Sequence, residues 1–341
     1  MRRLVKAAGI TAAVAAVGLL AERLFLAAPK YRGARSDHFD GTRFHNQQAG
    51  WQTEGSFVKW QLTKRPTRWP AWVESEPGPP PPKRVASGVR VTHINHSTAL
   101  IQMDGLNILT DPIWSERCSP VQWAGPKRHR APGLRFEDLP PIDAVLVSHN
   151  HYDHMDVATL RRLRGVPLFA GLGNAPLLAR HGVPNAHELD WWEEANLDAR
   201  VKITFTPSQH FSARAITDRN FTLWGGFVIS GPSGHVYFAG DTGWGKQYEE
   251  IARRFGPMRV ALLPIGAYLP RWFMKPAHID PREAVDAHLV LQAKTSIAIH
   301  YGTWALGDDG EREPVEDLQK AIEARGAKGF VVLEHGRGFD A

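Results

Sequence analysis

Residues 148–156 read Ser-His-Asn-His-Tyr-Asp-His-Met-Asp directly after the apolar run 144–147, and this junction constrains the chain more than any other segment. In extended backbone, side chains two residues apart project to one side, so His149 and His151 can face a single metal ion. Asp153 and His154 follow where the pattern turns helical, and can point at a second ion a few ångströms away. Imidazole nitrogen and carboxylate oxygen both suit zinc, and two ions about 3.5–4 Å apart form a hydrolytic clamp. A lone histidine is usually a surface or satisfied core residue. Three histidines and an aspartate within six residues, at the end of a buried strand, reverse that reading.

If a strand end builds the site, the remaining ligands should follow apolar runs too. His210 follows 201–205, Asp241 follows 236–239 and His300 follows 296–299. Strands whose carboxyl ends share one edge would bring all seven side chains together. Taken singly each residue has a plainer reading; Asp241, in Gly-Asp-Thr-Gly, suits a turn. Further strand-length runs lie at 89–94, 98–103, 106–109, 227–229, 260–263 and 330–333, bounded by Gly, Pro, Asp or Ser. Helical patterns at 155–164, 175–180, 248–254, 281–291 and 314–325 lie between several of them. Clustered strands with interspersed helices predict an α/β fold of two packed sheets covered by helices. Asp111 ends a strand and reads either as a partner orienting a ligand imidazole or as a turn cap.

Sixteen histidines make such a centre feasible, whereas the single cysteine, Cys118, excludes a disulfide framework and a multi-cysteine zinc cage. The formal net charge of +6 is spread along the chain. It suits contact with anionic phospholipid more than a nucleic-acid face, and the lack of a concentrated basic stripe argues against a nuclease.

Three segments are expected. Residues 1–30 carry Arg2, Arg3 and Lys6 before the uncharged run 7–21, which as a helix spans about 22 Å against a hydrocarbon core of about 30 Å. A signal-anchor and a cleaved secretory signal are the functional readings, and a peripheral amphipathic helix the plainer one. Pro29 after Ala27-Ala28 disfavours cleavage, and an anchor would place the catalytic domain on the non-cytoplasmic side of the membrane. Residues 31–85 read as a polar, Pro-rich extension without periodic core pattern, ending in a stiff tract at 77–82. Residues 86–341 form the hydrolase domain.

The His-x-His-x-Asp-His string followed by His, Asp and His resembles the metallo-β-lactamase superfamily, whose fold is an αββα sandwich. The strings at 141–145, 188–194 (Glu-Leu-Asp-Trp-Trp-Glu-Glu), 205–210, 238–243, 264–268 and 270–275 (Pro-Arg-Trp-Phe-Met-Lys) are similar to one family within it, the N-acylphosphatidylethanolamine-hydrolysing phospholipases D. The resemblance runs from about Thr92 to Gly336. It implies that His149, His151 and His210 hold one Zn2+, that Asp153, His154 and His300 hold another, and that Asp241 bridges them. It also implies that His278 lies near the reacting phosphate, in a chain that releases phosphatidic acid and an N-acylethanolamine from a membrane phospholipid. Tyr152, His93 and His96 are candidate pocket residues, and Trp191 and Trp192 are either core or membrane-facing. Val157 and Ala277 depart from a tyrosine and a glutamine of the family pattern, which bears on head-group contacts. A homodimer is left open. The rival readings are a lactonase, a hydrolase of a soluble phosphorylated metabolite and a lipid-binding scaffold.

Overall fold

The computed structural model describes residues 22, 25–48 and 56–341. One seven-stranded sheet runs in the order β14-β1-β2-β3-β4-β5-β6. Its strands are β1 (Val89–Asn95), β2 (Thr98–Met103), β3 (Leu106–Thr110), β4 (Ala144–Val147), β5 (Leu168–Gly171), β6 (Ala186–Leu189) and β14 (Gly338–Asp340). The other runs β13-β12-β11-β10-β9-β8-β7. It contains β7 (Glu194–Asn196), β8 (Lys202–Thr206), β9 (Gly226–Gly231), β10 (Gly234–Phe238), β11 (Val260–Pro264), β12 (Thr295–Ile299) and β13 (Phe330–Val331).

Side-chain alternation explains why the central strands are unbroken apolar runs. In β11, Val260 and Leu262 face the core shared by the sheets, while Ala261 and Leu263 face the helices outside. In β4, Ala144 and Leu146 face inward, while Val145 and Val147 pack under helices Val157–Arg162 and Asn174–Arg180. Both faces are buried, so no polar alternation appears. Helices Gln247–Phe255, Pro281–Val290 and Glu313–Arg325 cover the second sheet, completing an αββα sandwich of two mixed sheets. Helix Pro281–Val290 starts where it does because of a capping box, in which the Asp280 and Glu283 side chains each accept the other's backbone N–H.

The topology positions the site. Strands β10, β11 and β12 are parallel, and β8 and β10 are each antiparallel to β9. Strands β8, β10 and β12 therefore point the same way, and His210, Asp241 and His300 leave one edge.

Strands β5, β6, β7 and β14 are not among the runs read from sequence. They pair with each neighbour over only three or four residues and take their structure from those neighbours, β14 from β1 at the far end of the chain. The extension also contributes core: Phe39 and Phe44 are 2% and 0% exposed and join the cluster between the sheets. Residue 82 lies against the first sheet, where its carbonyl accepts from Gln102. The apolar run 7–21 lies outside the described residues. Among the described residues no helix is long and apolar enough to cross a membrane.

Candidate metal centre

All seven strand-end residues meet. His149 Nε2 lies 2.8 Å from His151 Nδ1, which lies 3.3 Å from His210 Nε2. Opposite them, Asp153 Oδ2 lies 3.3 Å from His154 Nε2 and 3.5 Å from His300 Nε2. Asp241 Oδ2 stands between the groups, 3.0 Å from His300 Nε2, 3.2 Å from His154 Nε2 and 3.8 Å from His210 Nε2. His278 joins them, with Nδ1 3.8 Å from Asp241 Oδ2. His96, read only as a pocket residue, is bound to the same group through Asp153 Oδ2 at 2.9 Å, and its ring centroid is 4.0 Å from that of His300.

Local backbone geometry aims these groups. Buried Asp111 Oδ2 lies 2.6 Å from His154 Nδ1, and Asp111 also accepts the backbone N–H and hydroxyl of Ser148, so it orients an imidazole and the strand exit together. Asp111, His96 and His300 all have positive φ, at 33°, 45° and 61°. Such backbone costs about 1–3 kcal/mol per residue and survives only where the surroundings over-determine it. Gly240 permits the step from β10 to Asp241: its φ is 59°, and a Cβ there would lie 2.5 Å from Ser148 Cβ.

Asn46, which no sequence signal marks, clamps His210 from the extension. Its Oδ1 accepts from His210 N at 3.0 Å and from Trp224 Nε1 at 3.1 Å, and its Nδ2 donates to His210 O at 2.8 Å. Asn46→Ala is expected to weaken metal retention about tenfold in competition with a chelator, at unchanged far-UV circular dichroism. Equal retention would reduce Asn46 to a packing residue.

Other candidates lie elsewhere. Tyr152 turns away from the cluster; its hydroxyl donates to Arg214 O at 3.0 Å, and it lines a separate cavity of about 250 Å³ with Arg117, Arg161 and His181. His93 is buried behind the centre, with Nε2 2.9 Å from His96 O. Trp191 is a core residue, its ring centroid 4.4 Å from that of His38 and its Nε1 donating to Trp224 O. Trp192 is half-buried under the Arg254 guanidinium.

The donor set fits cations. Burial pushes His151 and His210 down to about 3, keeping them in the neutral form that ligates. Burial also opposes charge on His300, but the Asp241 and Asp153 carboxylates outweigh it and raise the imidazole to about 9. Carboxylates sunk among imidazoles thus draw positive charge into the cluster. The buried atoms His154 Nε2, His300 Nε2 and Asp241 Oδ1 make no hydrogen bond, and bound metal would satisfy them.

An αββα sandwich with this cluster at its strand ends defines a metal-dependent hydrolase of metallo-β-lactamase type. A family model described as a beta-lactamase superfamily domain matches residues 106–301. The chain is 37% identical over 253 residues to an N-acyl-phosphatidylethanolamine-hydrolyzing phospholipase D of Caenorhabditis elegans, a match covering 70% of this chain and 71% of the worm protein. It is 35% identical over 246 residues to the mitochondrial one of Saccharomyces cerevisiae, covering 70% of this chain and 52% of the yeast protein. A solved structure of a metallo hydrolase from the archaeon Ignicoccus hospitalis superposes with a TM-score of 0.56 at 23% identity, over 75% of this chain and 100% of that one, and supports the fold. The chain belongs to the beta-lactamase superfamily and, within it, to the family of N-acylphosphatidylethanolamine-hydrolysing phospholipases D.

Proposed function

We propose that this chain is a zinc-dependent phosphodiesterase of phospholipase D type, cleaving N-acylphosphatidylethanolamine to phosphatidic acid and an N-acylethanolamine. The identity to the nematode relative carries this reading, because it is joined to a complete imidazole and carboxylate cluster. His149, His151 and His210 would hold one zinc ion, Asp153, His154 and His300 the other, with Asp241 facing both sets. Bound zinc would supply a water of lowered pKa and polarise a phosphoryl oxygen. His278 adds a buried Nδ1 with no hydrogen-bond partner in the structure. Burial pushes this imidazole down to about 3, so at neutral pH it is an uncharged group able to donate one N–H to a phosphoryl oxygen. Asp111 holds His154 in one tautomer through the carboxylate contact at Nδ1. The N-terminal segment would hold the domain at the membrane that carries the substrate.

Zinc-loaded protein in detergent is expected to release phosphatidic acid from N-acylphosphatidylethanolamine much faster than it opens a panel of lactones. Faster lactone turnover would overturn the lipid assignment and leave the metal centre standing. Full-length protein should also pellet with membranes more than a chain beginning near Tyr31; equal pelleting would show that the segment before it is not the anchor.

A further inference from the structure

We infer that helix Ser56–Thr63, with the short helix Arg271–Met274 on which it lies, is the face by which the domain docks onto an anionic phospholipid surface. The inference rests on the lipid substrate proposed above and names where that substrate's surface meets the protein.

Among the described residues the helix is held chiefly through Trp60, with the Phe57 ring 6.4 Å from that of Phe273. Trp60 stacks on Phe273 with ring centroids 5.0 Å apart and planes 14° apart, and its Nε1 donates to Asp308 Oδ1 at 3.0 Å. The apolar side chains around it are left in water: Phe57 is 58% exposed, Val58 60%, Leu62 82%, and neighbouring Trp272 49%. Val58 and Leu62 are four apart and share a helix face. Scattered exposed apolar residues need no explanation, but several on two adjoining elements mark an interaction surface.

Charge selects the occupant. Residues 56–73 contain Lys59, Lys64, Arg65 and Arg68, all exposed, and no carboxylate; exposed Lys275 follows the second helix. Lys59 Nζ lies 4.8 Å from the centroid of the Trp272 ring, and Lys64 Nζ lies 5.9 Å from that of Trp60. Apolar and aromatic side chains fringed by lysine and arginine are what a helix lying in a lipid headgroup layer presents, and each cation near an anionic leaflet adds attraction. A second copy of the chain fits less well, because in a two-fold contact this patch would meet itself and set cations against cations.

Position supports the same occupant. Ala277 and His278 both donate their backbone N–H to Met274 O, at 2.9 Å each. The segment carrying Trp272 therefore runs within two turns to the imidazole beside Asp241. A surface docked here lies beside the metal centre, where a lipid phosphodiester has to arrive.

The test places an environment-sensitive fluorophore at Leu62→Cys in the full chain. Cys118 is only 7% exposed, so labelling goes to the introduced thiol. Ala199→Cys is the control, exposed in the turn before β8 and so at the opposite end of the strand that leads to His210. Vesicles of phosphatidylcholine mixed with phosphatidylglycerol should blue-shift the label at position 62 and not at 199, and phosphatidylcholine alone should shift neither. Lys59→Glu with Lys64→Glu should raise the vesicle concentration for half-shift by at least about tenfold. No shift at position 62 while the protein sediments with the vesicles overturns the inference, because another segment then makes the contact. A shift that needs only more protein and no vesicles overturns it in favour of self-association. An equal shift on phosphatidylcholine alone overturns the anionic selectivity. Hydrolysis of lipid and water-soluble phosphodiesters is read separately: absence of both activities with the shift at 62 intact rejects the substrate reading and upholds the surface.

Discussion

Asp241→Asn is expected to lower turnover by at least about a hundred-fold, the scale on which even the partners of metal ligands can act, while the melting temperature of the metal-free protein moves little. Its Oδ2 lies within 3.8 Å of ring nitrogens of His154, His210, His278 and His300, so it is the carboxylate shared by both halves of the cluster. Among the seven proposed ligands only Asp153 and Asp241 are anionic. Two divalent ions a few ångströms apart repel strongly, and an amide keeps the volume of the carboxylate while removing its charge. Metal content should therefore fall with activity. Strand β10 keeps its packing, because Val236 and Phe238 are fully buried and untouched by the change. Zinc content, melting temperature and rate should be measured on one preparation. A variant with two zinc ions and near-normal turnover would remove Asp241 from the centre, and one that fails to fold would return it to the turn reading.

Phe44→Ala is expected to cost about 3–5 kcal/mol in urea unfolding, as for truncation of a fully buried aromatic ring. Phe44 is 0% exposed, and its ring centroid is 4.6 Å from that of Phe39 and 5.3 Å from that of Tyr31. Its backbone is held on both sides by Asn220, which accepts the Phe44 N–H at 2.9 Å and donates Nδ2 to the Phe44 carbonyl at 3.1 Å. Because Asn46 is two residues on and clamps His210, metal retention should fall as well. Phe57→Ala, at an exposed position, should stay within about 0.5 kcal/mol of the parent and serves as the comparison. A cost for Phe44→Ala below about 1 kcal/mol would show that the extension adds little to the folded domain.

The cluster of strand-end histidines and aspartates and much of the framework are legible in the sequence alone. Histidine and aspartate side chains at the ends of apolar runs name their own role, since few other uses bring so many imidazoles to buried strand ends. Strands such as β4 and β11 are legible because burial on both faces demands an unbroken apolar run. Tertiary structure decided what has no local signature. Strands β7 and β14 have three residues each, too short to carry a period of their own; β7 forms by pairing with the next strand, β8, and β14 by pairing with β1 at the far end of the chain. Phe39, Phe44 and Asn46 lie in a segment with no hydrophobic period, so only the assembled sandwich shows that they complete the core and brace His210. Tyr152 sits inside the ligand string yet points to Arg214, because the turn between His151 and Asp153 sends it to the other side. His96 and His300 take positive φ only because the surrounding contacts, among them the His300 N–H donated to His96 O at 2.7 Å, hold them there. Residue type and local period are written along the chain, whereas these placements come from contacts between segments up to about 250 residues apart, whose energies no local window contains.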